Sequence, residues 1–93
     1  MLGYVYDIRV ATLVSYNSPV IGMASSSDTQ GYPVSGGQSY GVFAFLPASY
    51  NGNNRFCITL FDLFDSDYSL NFTRFFIRAA WGDEGVWKEI SLT

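Results

Sequence analysis

The sequence predicts a small all-β protein in which antiparallel strands follow one another as a meander. Apolar residues alternate with other residues along most of the chain, which is the pattern of half-buried strands. Gly, Pro, Asn and Asp interrupt the alternating stretches at short intervals, as turn residues do. Apolar residues do not recur at helical spacing between capping residues, so we expect little or no helix. Such a meander is predicted to wrap into a small sandwich or an open barrel.

The length and composition predict one domain with more apolar side chain than its own core needs. At 93 residues the chain is too short for two ordinary domains, so residues 1–93 are expected to form one. Apolar residues make up 48% of the chain and charged residues only 14%, against about 25% charged in an average soluble domain. Surplus apolar side chains on a surface mark a protein interface or a ligand site. We therefore expect either a homo-oligomer or an aromatic binding face.

Charge and hydropathy argue against two classes of partner. The net charge is −3 and the few Lys and Arg residues are scattered, so there is no basic stripe to neutralise phosphates. Nucleic acid is not expected as a partner. No apolar run approaches the roughly 18 residues that a membrane span needs. Residues 1–10 carry Asp7 and Arg9 inside an alternating pattern, which is typical of neither a signal peptide nor an anchor, so membrane insertion is not expected.

Six alternating stretches are predicted as strands. The first is either one long strand or two strands with a bend, and the third is apolar on both faces, which is typical of a central strand. Pro47 is expected to end the third strand, and the Asn-Gly-Asn-Asn turn at residues 51–54 tolerates positive φ, as a tight antiparallel connection requires. The stretches are residues 2–16, 20–24, 40–46, 55–64, 70–81 and 86–92.

Residues 25–39 are predicted to form one long loop. They are rich in Ser and Gly and lack any sustained period that would bury a face. Loops of more than about 12 residues are uncommon in compact domains and tend to be functional or disordered. Tyr32 and Val34, on either side of Pro33, are the residues best able to hold the loop against the core.

The absence of histidine argues against catalysis. The chain has no His, so Ser-His-acid and Cys-His arrangements, His metal ligands and a proton shuttle tuned near neutral pH are all missing. Cys57 is the single cysteine, which rules out an intramolecular disulfide and favours a small buried apolar side chain over a reactive thiol. We expect a protein that is not an enzyme and that needs no cofactor.

The acidic residues Asp62, Asp65 and Asp67 form a cluster at a predicted strand end. Oxygen ligands from one loop suit Ca²⁺, but the glycine and the distal glutamate of an EF-hand loop are missing. Asp side chains that accept backbone N–H groups in a turn explain the cluster more simply, so no metal site is predicted. A small hydrolase that uses Asp62 or Asp67 is an alternative, but the short turns leave little from which to build a cleft that excludes water.

Aromatic and amide side chains at two predicted loops are candidate sugar contacts. Aromatic rings stack on sugar rings beside amide groups, although aromatic residues on strands are more often core. Tyr32 and Tyr50 are favoured because they lie in loops, where binding residues concentrate. The candidate ligand-binding residues are Tyr32, Tyr50, Asn51, Asn53 and Asn54.

The half of the chain from residue 40 onward carries four motifs that belong together: Tyr40-Gly41-Val42-Phe43, residues 55–63, Phe75-Phe76-Ile77-Arg78 and Trp87-Lys88-Glu89-Ile90. With these motifs the chain resembles the knob-type modules that end many phage tail fibres and pyocin fibres. Those modules close with an aromatic-x-Arg strand, a Gly-containing turn and a Trp-rich strand, and Glu84 stands where they carry a further Trp. The resemblance implies that Arg78 lies over the ring of Trp81 or Trp87, a structural cation–π contact.

The resemblance implies a non-enzymatic fibre module of a virus or phage particle, often trimeric, that recognises a host-surface glycan or receptor or else assembles the fibre tip. Its ligand contacts are expected from the loop at residues 25–39 and the turn at residues 50–54. The alternative is a structural or decoration protein of the virion that self-assembles by burying apolar β faces between neighbouring subunits.

Overall fold

A computed structural model of the chain describes residues 1–50, 53–65 and 74–91. Its elements are one short α-helix, a 3₁₀ turn and five β-strands. In chain order these are α1 (Val10–Leu13), the 3₁₀ turn Val14–Tyr16, β1 (Val20–Ser25), β2 (Ser39–Tyr50), β3 (Asn53–Asp65), β4 (Arg74–Trp81) and β5 (Val86–Ile90).

The five strands form one antiparallel sheet in the order β1-β2-β3-β4-β5. The predicted all-β meander is therefore confirmed. The sheet is not closed, because β1 and β5 remain at opposite edges, and no second sheet packs on it in the described ranges. In the N-terminal segment, residues 1–16, residues 2–5 hydrogen-bond to the edge of β1. Ile8, Val10 and Leu13 then lie against one face of the sheet in place of a second layer.

We call the face beneath the N-terminal segment the inner face, and it carries the core. Alternation along each strand brings aromatic and small side chains onto this face, where Ile8, Val10 and Leu13 of the N-terminal segment cover them. Gly41 lacks a Cβ at a place where one would overlap the ring of Phe61, so the close fit depends on glycine. The buried inner-face residues include Ala24, Phe43, Phe45, Cys57, Phe61, Leu63, Phe76 and Ala80.

The N-terminal segment does not form the predicted strand over residues 2–16. It makes isolated parallel bridges, Tyr4 with Met23 and Asp7 with Gln30, and then turns into α1. Val10 and Leu13 are three residues apart and both buried, so one turn of helix places them on the same side. The alternation therefore predicts only the start of the segment, where residues 2–5 hydrogen-bond to the edge of β1, whereas from Ile8 onward the chain covers the inner face.

Two predicted strand boundaries also change. Pro47 does not end β2, which continues to Tyr50 with Pro47 opposite Cys57. Since β1 pairs with β2 no further than Phe45, Pro47 lies where the strand has a neighbour on one side only, and proline is tolerated at such positions. The predicted strand over residues 70–81 is observed from Arg74 onward, and residues 70–73 lie outside the described ranges.

The predicted loop matches the connection between β1 and β2. Residues 26–38 form no strand, and a backbone hydrogen bond from Ser26 N–H to the Ser39 carbonyl (3.0 Å) closes its base. Tyr32 and Val34 pack against the core, as predicted. None of the helical turns in the described part of the chain is long and apolar enough to cross a bilayer.

Candidate functional site

The candidate functional site is the second face of the sheet, which we call the outer face. It consists of the alternate residues of β1 to β5 whose side chains point away from the N-terminal segment. In the described part of the chain, Tyr4 reaches the β1 edge of this face, where its hydroxyl is hydrogen-bonded to Ser25, and the large apolar side chains elsewhere on the face are exposed. Among the residues that the structure describes, every large apolar side chain that is exposed outside the N-terminal segment belongs to this face: Ile21, Met23, Val42, Leu46, Phe56, Leu60, Trp81, Val86 and Ile90.

The register of the sheet arranges these side chains in rows that run across the strands. Leu60 lies between Ala44 and Ile77, and in the next row Asp62 lies between Val42 and Phe75. Side chains directly opposite one another on adjacent strands are in contact distance, so the rows make a continuous apolar surface. Between the rows lies a shallow depression of about 390 Å³, lined by residues that include Ile21, Val42, Leu60, Asp62, Phe75 and Ile90.

Two charged residues of the described strands interrupt the outer face. Asp62 is half-buried, and its Oδ1 atom is buried without a hydrogen-bond partner in the described part of the chain. Burial among apolar side chains raises the pKa of Asp62, because the charged form loses hydration. Lys88 is exposed on the edge strand β5, opposite Ile77. The face therefore presents one acid and one base on an otherwise apolar surface.

On the inner face, Arg78 joins four parts of the molecule, although it is only 2% exposed. The Nη2 atom of Arg78 donates to the carbonyl of Ile8 (2.5 Å) and to Oγ1 of Thr59 (3.2 Å). The guanidinium carbon lies 4.4 Å from the ring centroid of Trp87, which is a cation–π contact. Burial lowers the pKa of Arg78, opposed by the nearby Glu84 carboxylate. An arginine inside the core thus connects β4 to β3, β5 and the N-terminal segment.

Glu84, in the turn between β4 and β5, gives Arg78 a carboxylate neighbour and holds α1. Its Oε1 lies 3.6 Å from Nη1 of Arg78 and accepts the backbone N–H of Val10 (2.6 Å). Its Oε2 accepts the backbone N–H of Ala11 (3.4 Å). A tryptophan at this position, as in the knob-type modules, would not supply these acceptors, so the N-terminal segment of this chain is tied to Glu84 specifically.

The structure distinguishes the two tryptophans that the sequence offered as partners of Arg78. Trp87 lies beneath the guanidinium, and its Nε1–H donates to the carbonyl of Gly31 (2.8 Å), which anchors the long loop. Trp81 is on the outer face, 62% exposed, with its ring edge-to-face against Phe56 at 5.2 Å between centroids. Trp87, and not Trp81, therefore makes the cation–π contact with Arg78.

Of the predicted sugar contacts, Tyr32 is the residue whose side chain lies in the described part of the chain. Tyr32 packs edge-to-face on Phe61, and its hydroxyl is hydrogen-bonded to Ser39 Oγ (2.8 Å) at the start of β2. Tyr50 is the last residue of β2, so its backbone lies at the other end of the strand from Ser39, about 37 Å away over 11 residues of extended chain. The side chains of Tyr50, Asn53 and Asn54, and all of Asn51, lie outside the described part of the chain.

The acidic cluster falls mostly outside the described residues too. The side chain of Asp65 and the whole of Asp67 are not described, whereas Asp62 points to the outer face among apolar neighbours. Within the described ranges, no group of three or more His, Cys, Asp or Glu side chains is close enough to hold a metal ion. Burial raises the pKa of the Cys57 thiol on the inner face, which keeps it protonated and unreactive.

The composition of the chain indicates an apolar surplus, but it does not show on which face of the sheet the surplus lies. β2 was recognised as apolar on both faces, and the same signal is present in β3, where Phe56, Ile58 and Leu60 alternate with Cys57, Thr59 and Phe61. The contact of Arg78 with Ile8 has no local signal, because it joins residues that are 70 positions apart in the chain.

No family model matches the chain, and comparisons with curated proteins and with solved structures gave no significant match.

Proposed function

We propose that the chain is a non-enzymatic structural subunit that assembles with further copies of itself by burying the outer face of its sheet. The observation that carries the proposal is the segregation of exposed apolar side chains. In the described ranges outside the N-terminal segment, all the large exposed apolar side chains lie on a single face, and no described residue covers them. A soluble monomer rarely leaves such a continuous surface in water, because each Å² of apolar area costs about 25 cal/mol when it stays exposed.

The size of the outer face suits a stable interface. Five strands about 4.8 Å apart, each about nine residues long at about 3.4 Å per residue, cover on the order of 700 Å². A stable protein interface buries roughly 800 Å² on each partner. Isolated crystal-type contacts are smaller and wetter, so the dimensions favour a specific partner of similar width. A second sheet of the same kind meets this requirement, since two sheets packed face to face form a sandwich.

The positions of the charged side chains favour self-assembly over catalysis as the function of the chain. The charged groups of the inner face and the N-terminal segment are engaged with one another: Asp7 with Arg9, Arg74 with Glu89 and Arg78 with Glu84. Asp62 is set among apolar side chains on an open surface, and the described residues beside it do not include the second polar group that acid–base chemistry requires. The proposed setting is a fibre or shell of a virus or phage particle, as the sequence resemblance implies.

The mass of the chain in solution tests the proposal. We expect light scattering after size exclusion to show a dimer or larger oligomer that dissociates on dilution. Leu60→Lys, at the centre of the outer face, should weaken the association roughly 100-fold, because a charge would be buried without a partner. Tyr16→Lys is the matched control, since Tyr16 is 42% exposed and Leu60 39%, but only Leu60 is on the outer face. A wild-type chain that stays monomeric at every concentration would refute the proposal.

A second candidate function is recognition of a host-surface glycan at the end of the sheet that carries the turn at residues 50–54. Phe56 and Trp81 form an exposed aromatic pair at this end, next to the turn where the sequence predicts amide groups. Aromatic rings of this kind stack on sugar rings. Binding of the folded chain to a glycan array or to bacterial cells, lost in Trp81→Ala but kept in Tyr16→Ala, is the expected result. Binding that is equal in the two variants would exclude the site.

A further inference from the structure

We infer that two copies of the chain pair face to face about a two-fold axis, with Asp62 of each copy joined to Lys88 of the other. The inference rests on the proposed function and adds the partner, the symmetry and the contacts that fix the register. It starts from the two charged side chains of the outer face, one of which is half-buried with an unpartnered oxygen atom.

Asp62 and Lys88 cannot pair within one chain. They lie two strands apart, on β3 and β5, and one row apart, since Lys88 is level with Ile77 and Leu60 while Asp62 is level with Phe75. Strand spacings of about 4.8 Å and rows about 6.8 Å apart put their Cα atoms roughly 12 Å from each other. The strand β4, with apolar side chains on this face, lies between them. Accordingly, neither side chain has an ion-pair partner within the described ranges.

A two-fold axis that passes over β4 allows Asp62 and Lys88 to pair between two copies of the chain. Rotation by 180° about an axis midway between Asp62 and Lys88, lying between the two sheets, exchanges the two positions. Each carboxylate then faces the partner's ammonium group, and both ion pairs form at once, as in any isologous interface. Face-to-face sheets lie about 10 Å apart, a gap that a lysine side chain spans.

The same axis is consistent with known sheet packing and with the apolar rows. The strands of the two copies cross at roughly 70°, closer to the orthogonal class of sheet packing than to the aligned class. Leu60 and Ile77 fall near the axis, where each side chain meets the second copy and is removed from water. Asp62, which is costly to bury alone, gains a positive partner on association. Complementary charges at fixed positions select this register among the many that an apolar surface alone would allow.

Exchanging the charges of residues 62 and 88 by mutation tests the inference. The variants are Lys88→Asp, Asp62→Lys and the double variant with both changes, and the dissociation constant of the dimer is measured by sedimentation. We expect each single variant to weaken the dimer about tenfold or more, and the double variant to return to within about threefold of the wild type. Asp83→Lys, in an exposed turn, makes the same change in net charge as Asp62→Lys and serves as the control. Circular dichroism shows whether each chain folds.

The outcomes separate this inference from the proposed function. If Leu60→Lys abolishes association while Lys88→Asp behaves as Asp83→Lys does, the outer face assembles and the ion pairing is wrong. A trimeric mass would also overturn the two-fold pairing and leave self-assembly standing. If Asp62→Lys fails to fold, Lys88→Asp on the exposed edge strand decides the question alone, because Asp at this edge position still discourages strand-to-strand aggregation. A wild-type monomer at all concentrations would remove both proposals.

Discussion

The guanidinium of Arg78 lies 4.4 Å from the ring centroid of Trp87, and the two residues face each other across β4 and β5 inside the core. Arg78 also holds the N-terminal segment through the Ile8 carbonyl, and Trp87 holds the long loop through the Gly31 carbonyl. The pair therefore fastens both of the irregular segments to the inner face. In the proposed assembly, the outer face is then the surface that binds a partner.

Replacement of Arg78 should be among the most destabilising single changes. Arg78→Ala leaves a cavity and removes the donor to the Ile8 carbonyl, so we expect a loss of roughly 3 kcal/mol in the free energy of unfolding, measured with urea. Arg74→Ala is the matched control, because Arg74 lies on the same strand with a shorter ion pair to Glu89 but is exposed. Its loss should be much smaller. Equal losses would mean that burial of Arg78 is unimportant.

The hydrogen bond from Trp87 to the Gly31 carbonyl should help to protect the long loop from hydrogen exchange. Trp87→Phe keeps a ring beneath Arg78 but removes the Nε1–H donor to Gly31. We expect a loss of about 1–2 kcal/mol in the free energy of unfolding, and faster hydrogen exchange in residues 26–38. In Trp81→Phe, on the outer face, loop exchange should not change. Unaltered loop exchange in Trp87→Phe would contradict the assignment.

Asp7 should make the fold more stable above the usual carboxyl pKa than below it. The side-chain hydrogen bonds from Arg9 hold the pKa of Asp7 far below its usual range, and the Thr12 hydroxyl adds to this, against a smaller opposing effect of burial. Its stabilisation is thus present above about pH 3.9 and is lost as the pH falls through the lowered pKa. Asp7→Asn should unfold more easily at pH 7, by roughly 1 kcal/mol. A difference that persists unchanged at pH 2 would contradict the prediction.

Asp62 should have the opposite pH dependence in the dilute monomer. Burial raises its pKa, so its folded state is favoured at low pH and loses stability as the pH rises through that raised pKa. Tyr40 on β2 and Lys88 on β5 are the other titratable side chains on this face of the described strands, and neither opposes Asp62 directly. Asp62→Asn should stabilise the monomer at pH 7 by up to about 1 kcal/mol, with no gain below about pH 3.9. Asp83→Asn, in the turn, is expected to have no such effect, and a destabilised Asp62→Asn monomer would contradict the account.

Much of the sheet was predictable because strand alternation and turn residues are local signals. The positions of β1, β3 and β5 follow from them to within a few residues, and the long loop follows from its composition. The N-terminal segment was not predictable in this way. Its alternation resembles a strand, but Ile8, Val10 and Leu13 are needed to cover the inner face, and that need is set by residues elsewhere in the chain.

For the candidate site, the sequence predicts that exposed apolar surface exists but not where it lies. Composition indicated surplus apolar surface, but its location depends on which face of each strand the N-terminal segment covers, which no local pattern encodes. Thus Leu60 and Phe61 are adjacent and both apolar, yet one is 39% exposed and the other 1%. Tyr32 is favoured as a ligand contact because it lies in a loop. In the structure its ring packs against Phe61 and its hydroxyl is hydrogen-bonded to Ser39.

The most direct test of the central claim is the solvent accessibility of outer-face side chains in solution, measured by NMR with a soluble paramagnetic agent. The Leu60 methyl groups are the probe, and the methyl group of Met1, which is 93% exposed, is the internal control. We predict that Leu60 signals are broadened by the agent in dilute protein and become protected as the concentration rises, while Met1 stays broadened throughout. Leu60 signals that remain accessible at every concentration would contradict the claim that the outer face is an assembly surface.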